Sequence, residues 1–335
     1  MKHILKQSGY KPEVVAHQQD YLFFGGTSYL GLNYNQQYLK IFSAGLIKWG
    51  LNNGASRNNN ISLSIYEEGE SLLASNYNLE AAITFSSGWL AATTAVQMLQ
   101  TNREIIYVND AHPALMATIP QQIIDIRIAV EKINMSLQTQ FLLVGNSVNN
   151  IHPRIFDFTA LQKIKPDKEV ILLLDHSHGF GYLEKKWLVQ FENLPKNIRL
   201  ILCGSLAKGL SLDAGVIIGD KKLIDLIKQS QAFNGASPCS PAVLHTYLHG
   251  QEIIAAAQGK LQKNLNYFFS KCSTTNYYWI KDFPVVLIKN EEKALQLQKQ
   301  QIIFTSFPYP LANSPVLNRL VISANHILAQ IDKVL

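Results

Sequence analysis

The stretch Glu169-Val170-Ile171-Leu172-Leu173-Leu174-Asp175-His176-Ser177-His178-Gly179 decides the fold. An unbroken apolar run without polar alternation suits a strand covered on both faces, and the abrupt change at Asp175 marks its carboxyl end. Runs of the same kind occupy residues 81–85, 104–108, 141–144, 200–203 and 214–218, with longer helical patterns between them. Strands alternating with helices build a mainly parallel sheet, so the expectation is a three-layer αβα domain of the α/β class. Beyond Ser240 the pattern changes to a long helical stretch over 241–270, strands at 284–288, 302–305 and 319–323, and a closing helix after Asn325. That part reads as a smaller α+β domain. The opening segment reads as an arm with short strands that ends in the turn cluster Gly25-Gly26-Thr27-Ser28. The expected division is an arm over 1–45, a large domain over 46–238 and a small domain over 239–335.

Composition narrows the function classes. With 335 residues, 47% of them hydrophobic, the chain can bury a large core, and disorder is excluded. No apolar run reaches the roughly 20 residues of a membrane helix, and the start Met1-Lys2-His3-Ile4-Leu5-Lys6 lacks the apolar stretch of a secretion signal, so the expected location is the cytoplasm. Cys203, Cys239 and Cys272 have neither an even number nor CxxC spacing, which argues against disulfides and a structural metal. A net charge of +6 favours anionic ligands, but the lysines are dispersed and form no stripe for nucleic acid.

Several residues stand where chemistry could be done. Asp175, closing a buried strand, needs a proton donor or cation to offset desolvation; the ordinary alternative is a cap on the next turn through the Ser177 or Gly179 amide. Lys208 follows the strand at 200–203 inside Gly204-Ser205-Leu206-Ala207-Lys208-Gly209, whose small residues allow close approach of a cofactor. The spacing does not fit a GxxxxGK[ST] loop, which removes an ATPase reading. An aldehyde cofactor unites the two: the lysine would form a Schiff base and the aspartate would keep a pyridine nitrogen protonated, as pyridoxal phosphate requires. A lysine in that role needs a pKa below its ordinary value of about 10.4, through burial and a cationic ring beside it. Ser87-Gly88-Trp89 joins a strand end to a helix start, where backbone amides can cradle phosphate, although such turns are common. Ser205 could bond that phosphate, His112 could lie against the ring, and His178 could donate to its phenolic oxygen. Arg319 could clamp a carboxylate in two-pronged fashion. The bland readings are a loop histidine, a structural hydrogen bond and a surface ion pair.

In order along nearly the whole chain, these motifs resemble the α-oxoamine synthases, pyridoxal-phosphate enzymes of fold type I that include 8-amino-7-oxononanoate synthase, 2-amino-3-ketobutyrate CoA ligase and serine palmitoyltransferase. Tyr29-Leu30-Gly31-Leu32, Gly54-Ala55-Ser56-Arg57, Glu70 and Ser87-Gly88-Trp89 match motifs of that family. The resemblance implies that Lys208 carries the cofactor, His112 stacks on its ring, Asp175 binds the pyridine nitrogen and His178 the phenolic oxygen. It further implies that Ser147 helps hold the ring, Ser205 the phosphate, and Arg319 the amino-acid carboxylate. The family forms homodimers with shared sites, which would bring Ser237, in Gly235-Ala236-Ser237, to the phosphate bound by the partner. The implied substrates are an amino acid and an acyl-CoA, condensed in a biosynthetic reaction, with no metal. The family's DEAH run is Asp175-His176-Ser177-His178 here, Thr27 replaces an asparagine, Tyr66 replaces a histidine, and a substrate-binding N-terminal arginine has no counterpart. Transamination or aldol-type cleavage on the same scaffold is the alternative reaction; a noncatalytic partner subunit is disfavoured by the presence of Lys208.

Overall fold

The structure is a computed structural model that describes residues 13–16, 19–116, 122–183, 187–308 and 313–335. The first twelve residues of the expected arm lie outside the described residues. The chain divides into two units: the larger comprises 36–149 and 155–251, the smaller 1–35, 150–154 and 252–335.

The larger unit is built on a six-stranded sheet in the order Ala81–Phe85, Gly215–Gly219, Ile198–Ser205, Glu169–Asp175, Gln140–Asn146, Glu104–Val108. Each corresponds to an apolar run in the sequence. Strands 104–108, 140–146, 169–175 and 198–205 run parallel, whereas 215–219 is antiparallel to both its neighbours. The reversal follows from chain length. Parallel neighbours need a crossover of a dozen or more residues, and the link from Ser205 to Gly215 is too short for one. Residues 170–175 are buried along both faces, which is why the run shows no polar alternation. Ile171 and Leu173 pack in one cluster with Leu142, Val144, Ile201, Cys203 and Ile217, closed from above by Ala91, Ala95 and Leu99 of helix Gly88–Leu99. Leu172 and Leu174 are equally buried on the other face.

All five strand ends at Phe85, Val108, Asn146, Asp175 and Ser205 lie on one edge of this sheet, since Gly215 pairs with both Phe85 and Ser205. In open α/β sheets that edge is where ligands bind. The helix expected over 241–270 is two helices, Pro241–His249 and Gln251–Lys271. Gly250 divides them: a Cβ there would meet the Thr246 carbonyl at 2.6 Å and the Tyr38 ring at 2.7 Å.

The smaller unit has its own six-stranded sheet, ordered Glu13–Ala16, Gln19–Phe24, Ile302–Pro308, Val316–Val321, Val285–Ile288, Tyr277–Tyr278. Strand Gln19–Phe24 pairs in parallel with Ile302–Pro308, so the expected arm and the expected C-terminal domain share one sheet. Helix Glu291–Lys299 and strand Tyr277–Tyr278 were not legible in the hydrophobic pattern; the helix is short and mostly polar, the strand only two residues long.

Candidate active site

The site grows from the end of the Asp175 strand. Asp175 is buried, and its Oδ1 accepts the Ser177 amide at 2.8 Å, the turn-capping bond weighed as the alternative reading. Among the described residues no lysine, arginine or histidine pairs with the carboxylate. Gly204 on the next strand has φ +146° and lies so close that a Cβ would stand 3.1 Å from Asp175 Oδ1 and 2.8 Å from the Ser177 amide nitrogen. Ser177 in turn accepts the Ser205 amide on its hydroxyl at 2.8 Å, tying the Asp175 turn to the start of the Lys208 loop.

Ser147 is fully buried, and both its amide (2.9 Å) and its hydroxyl (3.0 Å) reach the Asp175 carbonyl. It therefore touches the backbone of Asp175. His176 is buried beside it, with Nδ1 2.8 Å from Ser147 Oγ and its ring stacked on Trp187 at 4.4 Å. Burial holds the His176 imidazole neutral, with a pKa lowered to about 3.

The phosphate-type turn comes to the same place. Ser87 caps helix Gly88–Leu99 by accepting the Leu90 amide at 3.2 Å, so the Gly88 and Trp89 amides precede the first intrahelical bonds. Gly88 rests on Ser205: a Cβ would be 2.6 Å from the Ser205 nitrogen. Ser205 Oγ accepts the Ala207 amide at 3.2 Å, which leaves its proton to give away. Lys208 is half-buried in the turn that follows. The backbone at Gly209 packs directly on the Phe180 carbonyl, two residues beyond the half-buried His178, and Tyr38 donates its hydroxyl to the Leu210 carbonyl at 3.2 Å. His112 is exposed; its Nδ1 accepts the Ala114 amide, its amide donates to Asn146 Oδ1 at 3.0 Å, and its ring meets Trp89 edge-on at 5.8 Å. The fold thus brings Ser87, Gly88, Trp89, His112, Asp175, His178, Ser205 and Lys208 to one sheet edge.

The remaining motif residues have partners of their own. Arg57 and Glu70 form a two-pronged ion pair at 2.7 and 3.0 Å, with the guanidinium 4.2 Å from the Tyr66 ring centroid. Glu70 Oε1 also accepts the Thr84 amide and hydroxyl at 2.8 and 2.7 Å. These motif residues hold helix Ser64–Asn76 to strand Ala81–Phe85. Ser237 is exposed after helix Gln231–Gly235. In the smaller unit Arg319 is 7% exposed; one guanidinium nitrogen donates to the Asn150 carbonyl at 3.0 Å and Nε has no partner among the described residues. Burial lowers the Arg319 pKa, opposed by Tyr29, and no carboxylate among the described residues compensates it. Sequence reasoning did not single out Asn146, and read Gly204 only as a small residue that lets a cofactor approach; its contact with the Asp175 turn depends on another strand.

Known proteins resemble the chain over most of its length. The chain is 25% identical to the 8-amino-7-oxononanoate synthase of Petrotoga mobilis over 91% of this chain and 84% of that one. It is 23% identical to the serine palmitoyltransferase (SPT) of Sphingobacterium spiritivorum over 98% and 88%. A solved structure of SPT with PLP superposes with a TM-score of 0.81 at 17% identity, covering 99% of this chain and 89% of that one, which establishes a shared fold. The similarity to α-oxoamine synthases is therefore end to end. The model of the family "Aminotransferase class I and II" matches residues 44–335, and the chain belongs to that family.

Proposed function

We propose that the chain is a pyridoxal-phosphate-dependent acyltransferase of the α-oxoamine synthase kind, condensing an amino acid with an acyl-CoA. The observation that carries the reading is the buried Asp175 carboxylate, which has no cation partner among the described residues, placed on the same sheet edge as the helix start at Gly88 and the Lys208 turn. That donor set fits the cofactor, because a cationic ring N–H answers the carboxylate and a phosphate answers the free amides. When bound, pyridoxal phosphate supplies an aldehyde for amines and a cationic ring that draws electrons from the substrate α-carbon.

The chain's own groups then have separable tasks. Asp175 accepts the ring N–H and keeps it protonated. Gly88 and Trp89 amides and the Ser205 hydroxyl receive the phosphate. His112 covers the ring beside Trp89, and His178 donates to the phenolic oxygen. Lys208 Nζ would hold the cofactor through its aldehyde carbon and, as a free amine, would take the proton from the substrate α-carbon. Arg319, buried and without a carboxylate partner among the described residues, would bind the amino-acid carboxylate. Acyl transfer is supported by the similarity to 8-amino-7-oxononanoate synthase and serine palmitoyltransferase. The working form in this reading is a homodimer in which exposed Ser237 reaches the phosphate of the other copy; exposed Ile47, Leu51 and Ile61 on the larger unit support burial against a second chain. The free cysteines support a reducing, cytoplasmic setting, and among the described residues no helix is long and apolar enough to cross a membrane.

Two measurements test this. The absorbance of the protein with added pyridoxal phosphate should show a long-wavelength band from the lysine-bound cofactor that is absent in Lys208→Ala. Incubation with amino acids and acyl-CoAs should release free CoA thiol. Keto-acid formation without CoA release would establish transamination instead.

A further inference from the structure

Asp175, His176 and Ser147 have the residue types of a nucleophilic triad, yet their geometry excludes one. Ser147 is inaccessible, and it meets Asp175 through the aspartate's backbone carbonyl. The same contacts make a different device. Ser147 Oγ has one proton and two neighbours, the Asp175 carbonyl at 3.0 Å and His176 Nδ1 at 2.8 Å. If the hydroxyl donated to Nδ1, the carbonyl would face an oxygen without a proton between them, and the imidazole proton would sit on Nε2, which is buried and without a partner among the described residues. A buried N–H left unpaired is costlier and rarer than an acceptor left unpaired. Both contacts are satisfied only when Nδ1–H donates to Ser147 and Ser147 donates to Asp175.

We infer that His176 is a positioning residue: as the Nδ1–H tautomer it orients the Ser147 hydroxyl, which with the Ser147 amide fixes the Asp175 carbonyl and so the aim of its carboxylate. The site lies where the ladder between strands 140–146 and 169–175 ends, at the pair Asn146 and Asp175; on the other side the N–H of the same peptide donates to the Cys203 carbonyl at 2.8 Å, so Ser147 is what holds its carbonyl. The imidazole is itself immobilised. It stacks on Trp187, meets the Phe180 ring edge-on at 5.0 Å, and leaves no room for any side chain at residue 179, where a Cβ would run into the ring. Neutrality, enforced by burial, keeps the proton count at the one the relay needs.

The inference rests on the proposed cofactor role of Asp175, and its first test does not. Ring nitrogen-15 shifts of His176, measured without cofactor, should show a protonated Nδ1 and a bare Nε2; the opposite tautomer or an imidazolium overturns the relay. The second test compares His176→Phe, which keeps the stacking and loses the donor, with His176→Asn, whose amide nitrogen can occupy the Nδ1 position. Loss of one hydrogen bond of about 1 kcal/mol corresponds to about fivefold, so pyridoxal phosphate should bind about fivefold more weakly to His176→Phe, with recovery in His176→Asn. Adding Ser147→Ala to His176→Phe should weaken binding less than it does in the wild type. Equal affinity in His176→Phe, or independent effects of the two substitutions, would refute the positioning role. If wild-type protein fails to bind pyridoxal phosphate while the tautomer is as assigned, the cofactor reading fails and the relay stands.

Discussion

Replacing Gly204 with alanine tests the geometry that joins Asp175 to the Lys208 loop. At φ +146° an L-residue is strained by about 1–3 kcal/mol. The new Cβ would also stand 2.8 Å from the Ser177 amide nitrogen and closer still to the Ser177 hydroxyl, which must move. Its displacement breaks the 2.8 Å bond from the Ser205 amide, and leaving that amide unpaired costs about 1–3 kcal/mol more. The sum, about 2–6 kcal/mol, is a large part of the total stability of an ordinary domain. Urea unfolding of cofactor-free Gly204→Ala, followed by fluorescence, should give a much lower midpoint with an unchanged slope. Gly54→Ala is the control: Gly54 also has a positive φ of +71°, but nothing lies within 4 Å of its Cβ position, so only the backbone term remains. Similar losses in the two variants would refute the claim that close approach to Ser177 and Asp175 requires glycine at 204.

Glu70→Ala should destabilise by about 3 kcal/mol because it strands a half-buried guanidinium and the buried Thr84 amide, and removing Arg57 as well (Arg57→Leu with Glu70→Ala) should restore part of the loss in the same urea assay. Asp175→Asn keeps an oxygen for the Ser177 amide, so circular dichroism should be unchanged, while turnover falls by about two orders of magnitude; unaltered turnover would remove Asp175 from the chemistry. His176 and His326 are buried with pKa values lowered from 6.5 to about 3 and about 4, so the unfolded chain takes up protons that the folded one refuses. Stability is therefore complete above pH 6.5 and falls as pH drops toward those values, by about 2 kcal/mol per histidine between pH 7 and 5. Urea midpoints in His176→Phe should show a shallower acid loss than wild type over that window.

The candidate site residues are legible where they follow a strand. Asp175 stands out because it interrupts an apolar run, and Lys208 because small residues surround it after another run; both signals are local. His176 was legible only as a departure from DEAH, and its neutral, stacked state depends on Trp187 and Gly179 closing around it. Ser147 illustrates the opposite limit. The resemblance assigned it to the cofactor ring, whereas its hydroxyl and amide engage the Asp175 carbonyl, a contact between strand ends that no local pattern encodes. Likewise Tyr66, which stands in place of a histidine, supports Arg57 with its ring and donates its hydroxyl to the Cys239 carbonyl at 2.7 Å.

The sequence by itself determined the strands, their buried class and the order of the motifs, because burial on both faces and the small-residue turns leave marks within a few neighbouring positions. Only the tertiary structure decided that strand 215–219 runs against its neighbours, that the N-terminal strand completes the C-terminal sheet, and that the Asp175 turn, the Gly88 helix start and the Lys208 loop share one edge. Those facts rest on pairings between residues far apart in the chain. Their energy comes from hydrogen bonds and close backbone approach that neither partner shows alone.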